Sequence, residues 1–482
     1  MDRVPTLDVF ILTFNAAKRQ INIPVFARHL CNAFGQNATS LPEMVVISLQ
    51  EMAPLAQAFI GSYVLHPYFQ RYESAVNIAA SKFAAEEERQ DRPKDRPYTL
   101  VTARNVGMTG IMLFARDPSA VENLQVAEVG FGAGDMANKG AAGLRMLYKR
   151  QNEEDGSVLA STELTFVSAH LAAMEWNLNK RNKNWESIVS GLVFEDPKKI
   201  AERPLLQPTS HGSDDDEDAQ GLLSQESTQK ALHDISIYKP GSHLFVSGDL
   251  NYRLSKTSPA SGSTFPETDP ESPNYYTRFL SHDQLTAEKS AGRTLQGLSE
   301  APINFPPTYK LVLSPKSEPQ TELGRIGDEE DDADQVEWSW ALHRWPGWCD
   351  RVLFFDIPWW VQNTVRDAKM KIRTYDALPA VRSSDHRAVF LRLDVPMLDP
   401  DVLQPTESAC ETELSGERQQ PVDPRVKLPF PVDFQTWEHR AMVRKWESTI
   451  GWSMLISQSK QGIMVFVTVL LVGLGAWWYR SR

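Results

Sequence analysis

The stretch His243-Leu244-Phe245-Val246-Ser247-Gly248-Asp249-Leu250-Asn251-Tyr252-Arg253 (HLFVSGDLNYR) decides how this chain is read. Its first five residues are short, mostly apolar and β-leaning, so Gly248 ends a buried strand and leaves Asp249 and Asn251 at its mouth. Taken alone, Gly-Asp and Asn-Tyr also suit a plain turn. The arrangement recurs, however. A strand-like run at 7–13 leads to Asn15, one at 44–48 to Gln50-Glu51, and one at 163–169 to His170; Ser384-Asp385-His386 stands just before another at 388–393. Amides, carboxylates and imidazoles in this mixture suit a hard, oxygen-preferring cation and a water to be activated, rather than a thiolate-rich zinc shell.

Outward from these runs, further strand-like segments lie at 98–103, 110–115, 124–129, 143–148, 351–355 and 371–375, making ten or eleven strands. Helix-like segments such as 23–34 and 176–191 interleave with them in one continuous pattern from residue 8 to about 396. Several strands are apolar throughout, as in sheets covered on both faces, so two packed sheets with helices outside are expected. Segments 84–96, 196–238, 257–273 and 314–337 are rich in charge, Ser and Pro and read as inserts without a core of their own. Residues 397–433 read as a linker.

The net charge of −12 is unfriendly to nucleic acid, and two runs explain it. Residues 214–218 and 328–337 hold five and seven acidic side chains, so the remainder is near neutral and can carry a basic pocket; such runs are expected to be solvated, disordered loops. Cys31, Cys349 and Cys410 have no paired spacing, and charges interrupt residues 1–12, so a reducing, cytosol-facing location is expected. Positions six after each cysteine are Asn37, Phe355 and Gly416, not the arginine that a cysteinyl-phosphate mechanism requires.

Residues 462–479 run without a charge, about 27 Å as a helix, with Trp477, Trp478 and Tyr479 together at one end. This reads as a transmembrane tail anchor. The preceding 434–461 segment interleaves Trp437, Trp446 and Trp452 with Arg440, Arg444, Lys445 and Lys460. Two readings stay open for it: a juxtamembrane helix on an anionic bilayer, or a helix docked against the main domain.

Together LTFN ending at Asn15, SLQE ending at Glu51, MANKG (136–140), SAHLAA (168–173), SGDLNYR (247–253), FPPTYK (305–310), PGWCDRVLF (346–354) and SSDHRAV (383–389) resemble, in order, the inositol polyphosphate 5-phosphatases of the endonuclease/exonuclease/phosphatase superfamily. The resemblance spans about 7–393. It implies a DNase I-like four-layer α/β sandwich with the site at one end of the sheets. It also implies Mg²⁺ held principally by Glu51 with Asn15 beside it, Asp249 orienting and deprotonating the attacking water, and Asn251 bonding the scissile phosphate. By the same resemblance His386 contacts that phosphate, Asp350 orients His386, Asp385 lies near metal and nucleophile, and His170, Asn138 and Lys139 line the phosphate site.

Tyr309, Lys310 and Arg344 match the positions that grip a 4-phosphate. His343 stands where lysine is common, Phe14 where tryptophan is usual and Ala141 where a second glycine is usual. The reaction these matches imply is Mg²⁺-dependent removal of the 5-phosphate from a phosphoinositide, phosphatidylinositol 4,5-bisphosphate first, by a cytosolic domain of residues 1–396 anchored in the endoplasmic reticulum or, alternatively, the mitochondrial outer membrane. Partners are then the lipid and the membrane, with no nucleic acid. A nuclease or sphingomyelin phosphodiesterase of the same superfamily, and an inactive tail-anchored scaffold, are the alternatives.

Overall fold

The computed structural model describes residues 4–86, 96–152, 155–202, 226–314, 336–416, 418 and 421–480. Most of the two acidic runs therefore lies outside the described residues. The strands are β1 (Thr6–Asn15), β2 (Met44–Gln50), β3 (Thr99–Val106), β4 (Thr109–Ala115), β5 (Val121–Gly130), β6 (Gly140–Gln151), β7 (Val158–His170), β8 (Ser242–Asp249), β9 (Leu298–Ser299), β10 (Leu311–Leu313), β11 (Trp338–Trp340), β12 (Asp350–Phe355), β13 (Lys371–Ala377) and β14 (Val389–Pro396). All eleven expected strands are present. The three extra ones, β9, β10 and β11, are two or three residues long, too short to show a period.

Two mixed six-stranded sheets result, ordered β13-β14-β1-β2-β4-β3 and β5-β6-β7-β8-β12-β9, beside a small β10-β11 pair. Their faces follow the two-residue period of a strand. In β1, Leu7, Val9 and Ile11 join Val46, Ile111, Leu144, Phe166, Phe245 and Val352 in a core between the sheets. The alternate residues Phe10, Leu12 and Phe14 pack outward with Phe26, Leu30 and Phe34 of α1 (Ile23–Gly35) and Phe69, Tyr72 and Val76 of α3 (His66–Glu86). On the far side, Val167, Leu244 and Leu353 meet Trp185, Ile188 and Val189 of α4 (Leu178–Gly191). Helix, sheet, sheet, helix is the DNase I-like sandwich that was expected.

The helices carry local signals. Asn22 caps α1 by accepting from the Val25 N–H at 3.3 Å, and Pro24 sits in its first turn. The charge-rich 84–96 segment starts inside α3, which ends at Glu86; residues 87–95 lie outside the described set.

The stretch read as a linker packs onto the domain. Leu398, Leu403 and Ala409 share a cluster with Ile357 and Trp360, and Leu428 and Phe430 lie against the α4 layer. Nor is the 196–238 insert without core residues: Ile200, Ile235, Ile237 and Tyr238 are buried. Apolar residues spaced among Pro, Glu and Asp hid both from composition. Helix Thr436–Gln458 docks by Thr436, Arg440, Val443, Glu447 and Gly451, one helical stripe, and leaves Trp446 and Trp452 exposed. It lies beside α2 (Leu55–Ile60). A helix follows at Lys460–Arg480, within which the side chains of 460–463, 465–467 and 469 lie outside the described set. Among the described residues no helix is long and apolar enough to cross a membrane.

Candidate active site

The face that carries the inter-sheet core turns polar at one end. Continuing the same two-residue phase, Leu7-Val9-Ile11 gives way to Thr13 and Asn15, Val46 to Ser48 and Gln50, Phe166 to Ser168 and His170, and Phe245 to Ser247 and Asp249. These groups satisfy one another within and between the sheets. Thr13 Oγ1 donates to Gln50 Oε1 at 3.1 Å, Ser48 and Ser247 hydroxyls lie 2.5 Å apart, and Asn15 Nδ2 donates to Asp249 Oδ2 at 2.9 Å. Buried polar atoms need such partners, which fixes the geometry of the strand ends.

Register sets the order of the reacting groups. His170 pairs with Asp249 across the parallel β7–β8 ladder, and Asp350 pairs with Asp249 across the antiparallel β8–β12 ladder. Val389 lies opposite Thr13, so Ser384, Asp385 and His386 reach the same mouth; Ser384 Oγ donates to the Asn15 carbonyl at 2.5 Å. His170 Nε2 lies 3.4 Å from Asp249 Oδ2 and also contacts Lys139 Nζ. His386 Nδ1 bonds Asp350 Oδ2 at 2.8 Å, and Thr308 Oγ1 donates to that oxygen at 2.7 Å. Asn251 donates its N–H to Asp249 Oδ1 at 3.1 Å and its amide to the Leu171 carbonyl at 3.1 Å. Asn251 and Glu51 both hold left-handed backbone angles, φ 59° and 45°, which turn their side chains away from the strand line.

Charge follows this packing. Burial opposes the Asp249 carboxylate, but the hydrogen bond from His170 and the charges of His386, His170 and Lys139 prevail, holding its pKa far below the usual range. Burial raises the Asp350 carboxyl against the pull of His386. For His386 burial is overcome by Asp350, Asp249 and Asp385, and its pKa rises to about 9, so it is an imidazolium at neutral pH. Burial and Lys139 lower His170, and burial brings Lys139 down to about 8 despite Asp249 and Glu51. Glu51, opposed by burial but facing His170, Lys139 and Lys18, stays below the ordinary carboxylate value.

The expected 4-phosphate grip is divided. Lys310 pairs with Asp385, whereas Arg344 pairs at 2.6 Å with the fully buried Glu175. Tyr309 stacks 4.5 Å from the His386 ring. Four participants went unread in the sequence. Arg253 contacts Asn251 Oδ1 and lies 4.4 Å over the Tyr309 ring; it closes the SGDLNYR stretch and could have been suspected there. Thr308 sits inside FPPTYK. Glu175 and Lys18, which lies 3.1 Å from Glu51, carry no local signal.

A cation fits two places. Glu51 is an ionised carboxylate with one face paired to Lys18, and the chain continues the β1–β2 ladder beside it, Ala16 N bonding the Gln50 carbonyl and Lys18 N the Glu51 carbonyl. Asp249, Asp350 and His386 offer ligand atoms within 4.8 Å of one another. Asp350 Oδ1 and Asn138 Oδ1 are buried without partners, as atoms awaiting a ligand would be. The donors are oxygen and imidazole throughout, while Cys349 is buried with its thiol facing the Tyr252 carbonyl, so a hard cation is the match.

The sequence profile of Endonuclease/Exonuclease/phosphatase family 2 matches residues 12–392. Similar curated proteins include Type I inositol polyphosphate 5-phosphatase 13 of Arabidopsis thaliana, 29% identical over 58% of this chain and 22% of that protein. Inositol-1,4,5-trisphosphate 5-phosphatase 1 of Schizosaccharomyces pombe is 24% identical over 67% of this chain and 22% of its own length. Synaptojanin of Caenorhabditis elegans is 24% identical over 61% and 19%. The chain thus spans about a fifth of the curated relatives it matches. A crystal structure of the inositol polyphosphate 5-phosphatase domain of SPsynaptojanin, in complex with inositol (1,4)-bisphosphate and calcium ion, superposes with TM-score 0.50 at 18% identity, covering 94% of this chain and 93% of that one. With a profile match over residues 12–392 and a shared fold, the chain belongs to endonuclease/exonuclease/phosphatase family 2, where the relatives it resembles are inositol polyphosphate 5-phosphatases.

Proposed function

We propose that this protein hydrolyses the 5-phosphate of an inositol phosphate headgroup, and that its substrate is a membrane phosphoinositide, phosphatidylinositol 4,5-bisphosphate first. The observation that carries the reading is the placement of Asp249 between His170 and Asp350, with Asn15 and Asn251 bonded to its carboxylate. Ionised and oriented by these neighbours, Asp249 holds a water for in-line attack and takes its proton. The Asn251 amide, the His386 imidazolium and Lys139 bind the equatorial oxygens, where the charge of a loose transition state gathers. Asp350 keeps His386 charged and turned toward the site. As the bond to phosphorus breaks, the departing inositol 5-oxygen takes a proton from solvent and Asp249 returns the one it accepted; no residue forms a covalent phosphate.

A divalent cation, Mg²⁺ in this reading, supplies neutralisation of the phosphate charge when bound. Glu51, beside Asn15, is the preferred holder, because Asp350 Oδ2 is engaged by His386 and Thr308 and both oxygens of Asp249 are committed to Asn15 and Asn251. Lys310, Tyr309 and Arg344 stand where a second ring phosphate would be gripped, Arg344 exchanging Glu175 for it. The SPsynaptojanin structure with inositol (1,4)-bisphosphate and calcium ion supports both the ligand class and the cation charge.

The 462–479 run, part of whose side chains lies outside the described set, is uncharged in sequence and about 27 Å long as a helix, which supports a membrane anchor that holds the site near lipid headgroups and raises their effective concentration. Its shortness favours the thin bilayer of the endoplasmic reticulum. Exposed Trp446 and Trp452 on the preceding helix are suited to the interface. A panel of phosphoinositides in vesicles and soluble inositol phosphates, assayed for released phosphate with the full chain, tests the assignment. Preference for 5-phosphorylated lipids is expected; preference for the soluble compounds would sink the lipid reading, and no release from any of them would sink the phosphatase reading.

A further inference from the structure

The MANKG segment does not stand on its own. In the loop after β5, Phe131 N bonds the Lys139 carbonyl at 3.0 Å and Gly132 N the Met136 carbonyl at 2.9 Å, and the Asn138 side chain occupies the space where a Cβ on Gly132 would fall, 1.7 Å from its Oδ1. Ala137 is held through both of its backbone polar groups. Its carbonyl accepts from Met108 N at 3.1 Å, in the turn between β3 and β4. Its N–H donates at 2.6 Å to Glu447 Oε1, which arrives from the helix Thr436–Gln458, 310 residues away in sequence.

Glu447 is itself fixed. Arg440, one helical stripe earlier, donates to both of its oxygens at 2.9 and 2.8 Å, and the two side chains are 7% and 2% exposed. The helix is fastened around them by Thr436 Oγ1 to the Gly191 carbonyl at 3.1 Å and by Arg440 against Glu128 at 3.6 Å. Gly451 lies so close to α2 that a Cβ would fall 2.8 Å from the Ala56 carbonyl. A carboxylate bonded to a backbone N–H in this surrounding is a strong, directional restraint. A docking helix needs only an apolar stripe, and a buried ion pair is a costly way to supply one. What the pair does here is fix Ala137, the residue immediately before Asn138 and Lys139, through its N–H.

We propose that Glu447, locked by Arg440, is a positioning residue for the phosphate-binding loop, so that helix Thr436–Gln458 is a working part of the active site rather than only a spacer before the anchor. This rests on the phosphatase reading above, in which Lys139 touches the substrate phosphate and the family resemblance sets Asn138 beside it. Glu447 itself touches neither substrate nor Asp249. Its removal therefore loosens the grip on phosphate while leaving the water-activating carboxylate in place.

The full chain in detergent, with inositol 1,4,5-trisphosphate as a soluble substrate, removes membrane delivery from the comparison. Glu447→Ala is expected to raise KM and to lower kcat/KM by about tenfold or more, and to speed amide hydrogen exchange in the peptide covering 131–139. Glu447→Gln, whose amide oxygen still accepts the Ala137 N–H, should recover most of both. A merely structural role would instead reduce the fraction of active protein, so kcat would fall at unchanged KM; that result, or unchanged exchange at 131–139, overturns the proposal. Should Glu447→Ala not fold, Glu447→Gln alone decides it by the same two readouts, with a smaller rise in KM and in exchange expected. An inactive wild type would refute the phosphatase reading, whereas the exchange comparison would still judge the loop restraint.

Discussion

Asp350 shows how much one buried side chain controls. It donates nothing to the reaction, yet it accepts from His386 and Thr308 and faces Asp249 across the strand pair. Its charge is the main reason that His386 stays protonated to about pH 9 in spite of burial. Activity that needs the imidazolium is then present below that value and lost as the pH rises through it, a fall that begins near pH 8 as Lys139 also loses its proton. Asp350→Asn should move the alkaline limb of the kcat/KM profile down by about one unit, the size of effect a single neighbouring charge produces. An unmoved limb would mean that another group sets it. His170 and Asp249 were legible in the sequence because each closes a strand with a polar side chain, and Asp350 and His386 because each sits in a short motif at or just before the start of one. Lys18 and Glu175 were not: they reach Glu51 and Arg344 from a turn and a short 3-10 helix, through pairings that exist only once the chain is folded.

At the scale of the element, the site is a product of strand register. The two-residue period that buries Leu7, Val9 and Ile11 delivers Asn15, and the same phase in β7 and β8 delivers His170 and Asp249. A one-residue slip would send each to the helical face. Gly248 guards that register, because a Cβ there would fall 1.9 Å from the Ala169 carbonyl on the neighbouring strand. Gly248→Ala is expected to destabilise the protein by about 2 kcal/mol or more through backbone displacement and to abolish most activity, read by thermal unfolding and phosphate release. An unchanged melting temperature would refute the close approach. The strands were readable from apolar runs, whereas the packing of 397–433 was not, and docking of Thr436–Gln458 was one of two readings left open. Their apolar residues are spread among Pro, Glu and Arg, and a stripe such as Arg440-Val443-Glu447 carries no hydrophobic signal at all.

For the whole molecule, pH acts on stability as well as on chemistry. Burial holds His233 and His243 near pKa 4, where their ring nitrogens meet the Pro424 and Pro396 carbonyls. A histidine that binds its proton less readily when folded favours the unfolded chain as acid is added. Stability is thus full above about pH 6.5 and falls as the pH drops toward 4, by up to about 3 kcal/mol for each group. Unfolding midpoints between pH 7.5 and 4.5 should decline, and His243→Gln, which keeps a donor without titrating, should lessen the slope; a flat profile would contradict the burial of neutral imidazoles. The central claim is that Asp249 directs water at the 5-phosphate of a lipid headgroup, and the positional outcome tests it most directly. The full chain with Mg²⁺ and phosphatidylinositol 4,5-bisphosphate in vesicles should release inorganic phosphate and leave phosphatidylinositol 4-phosphate, and Asp249→Asn should be slower by at least about two orders of magnitude. A 5-phosphate product, no phosphate at all, or an undiminished Asp249→Asn would contradict the account.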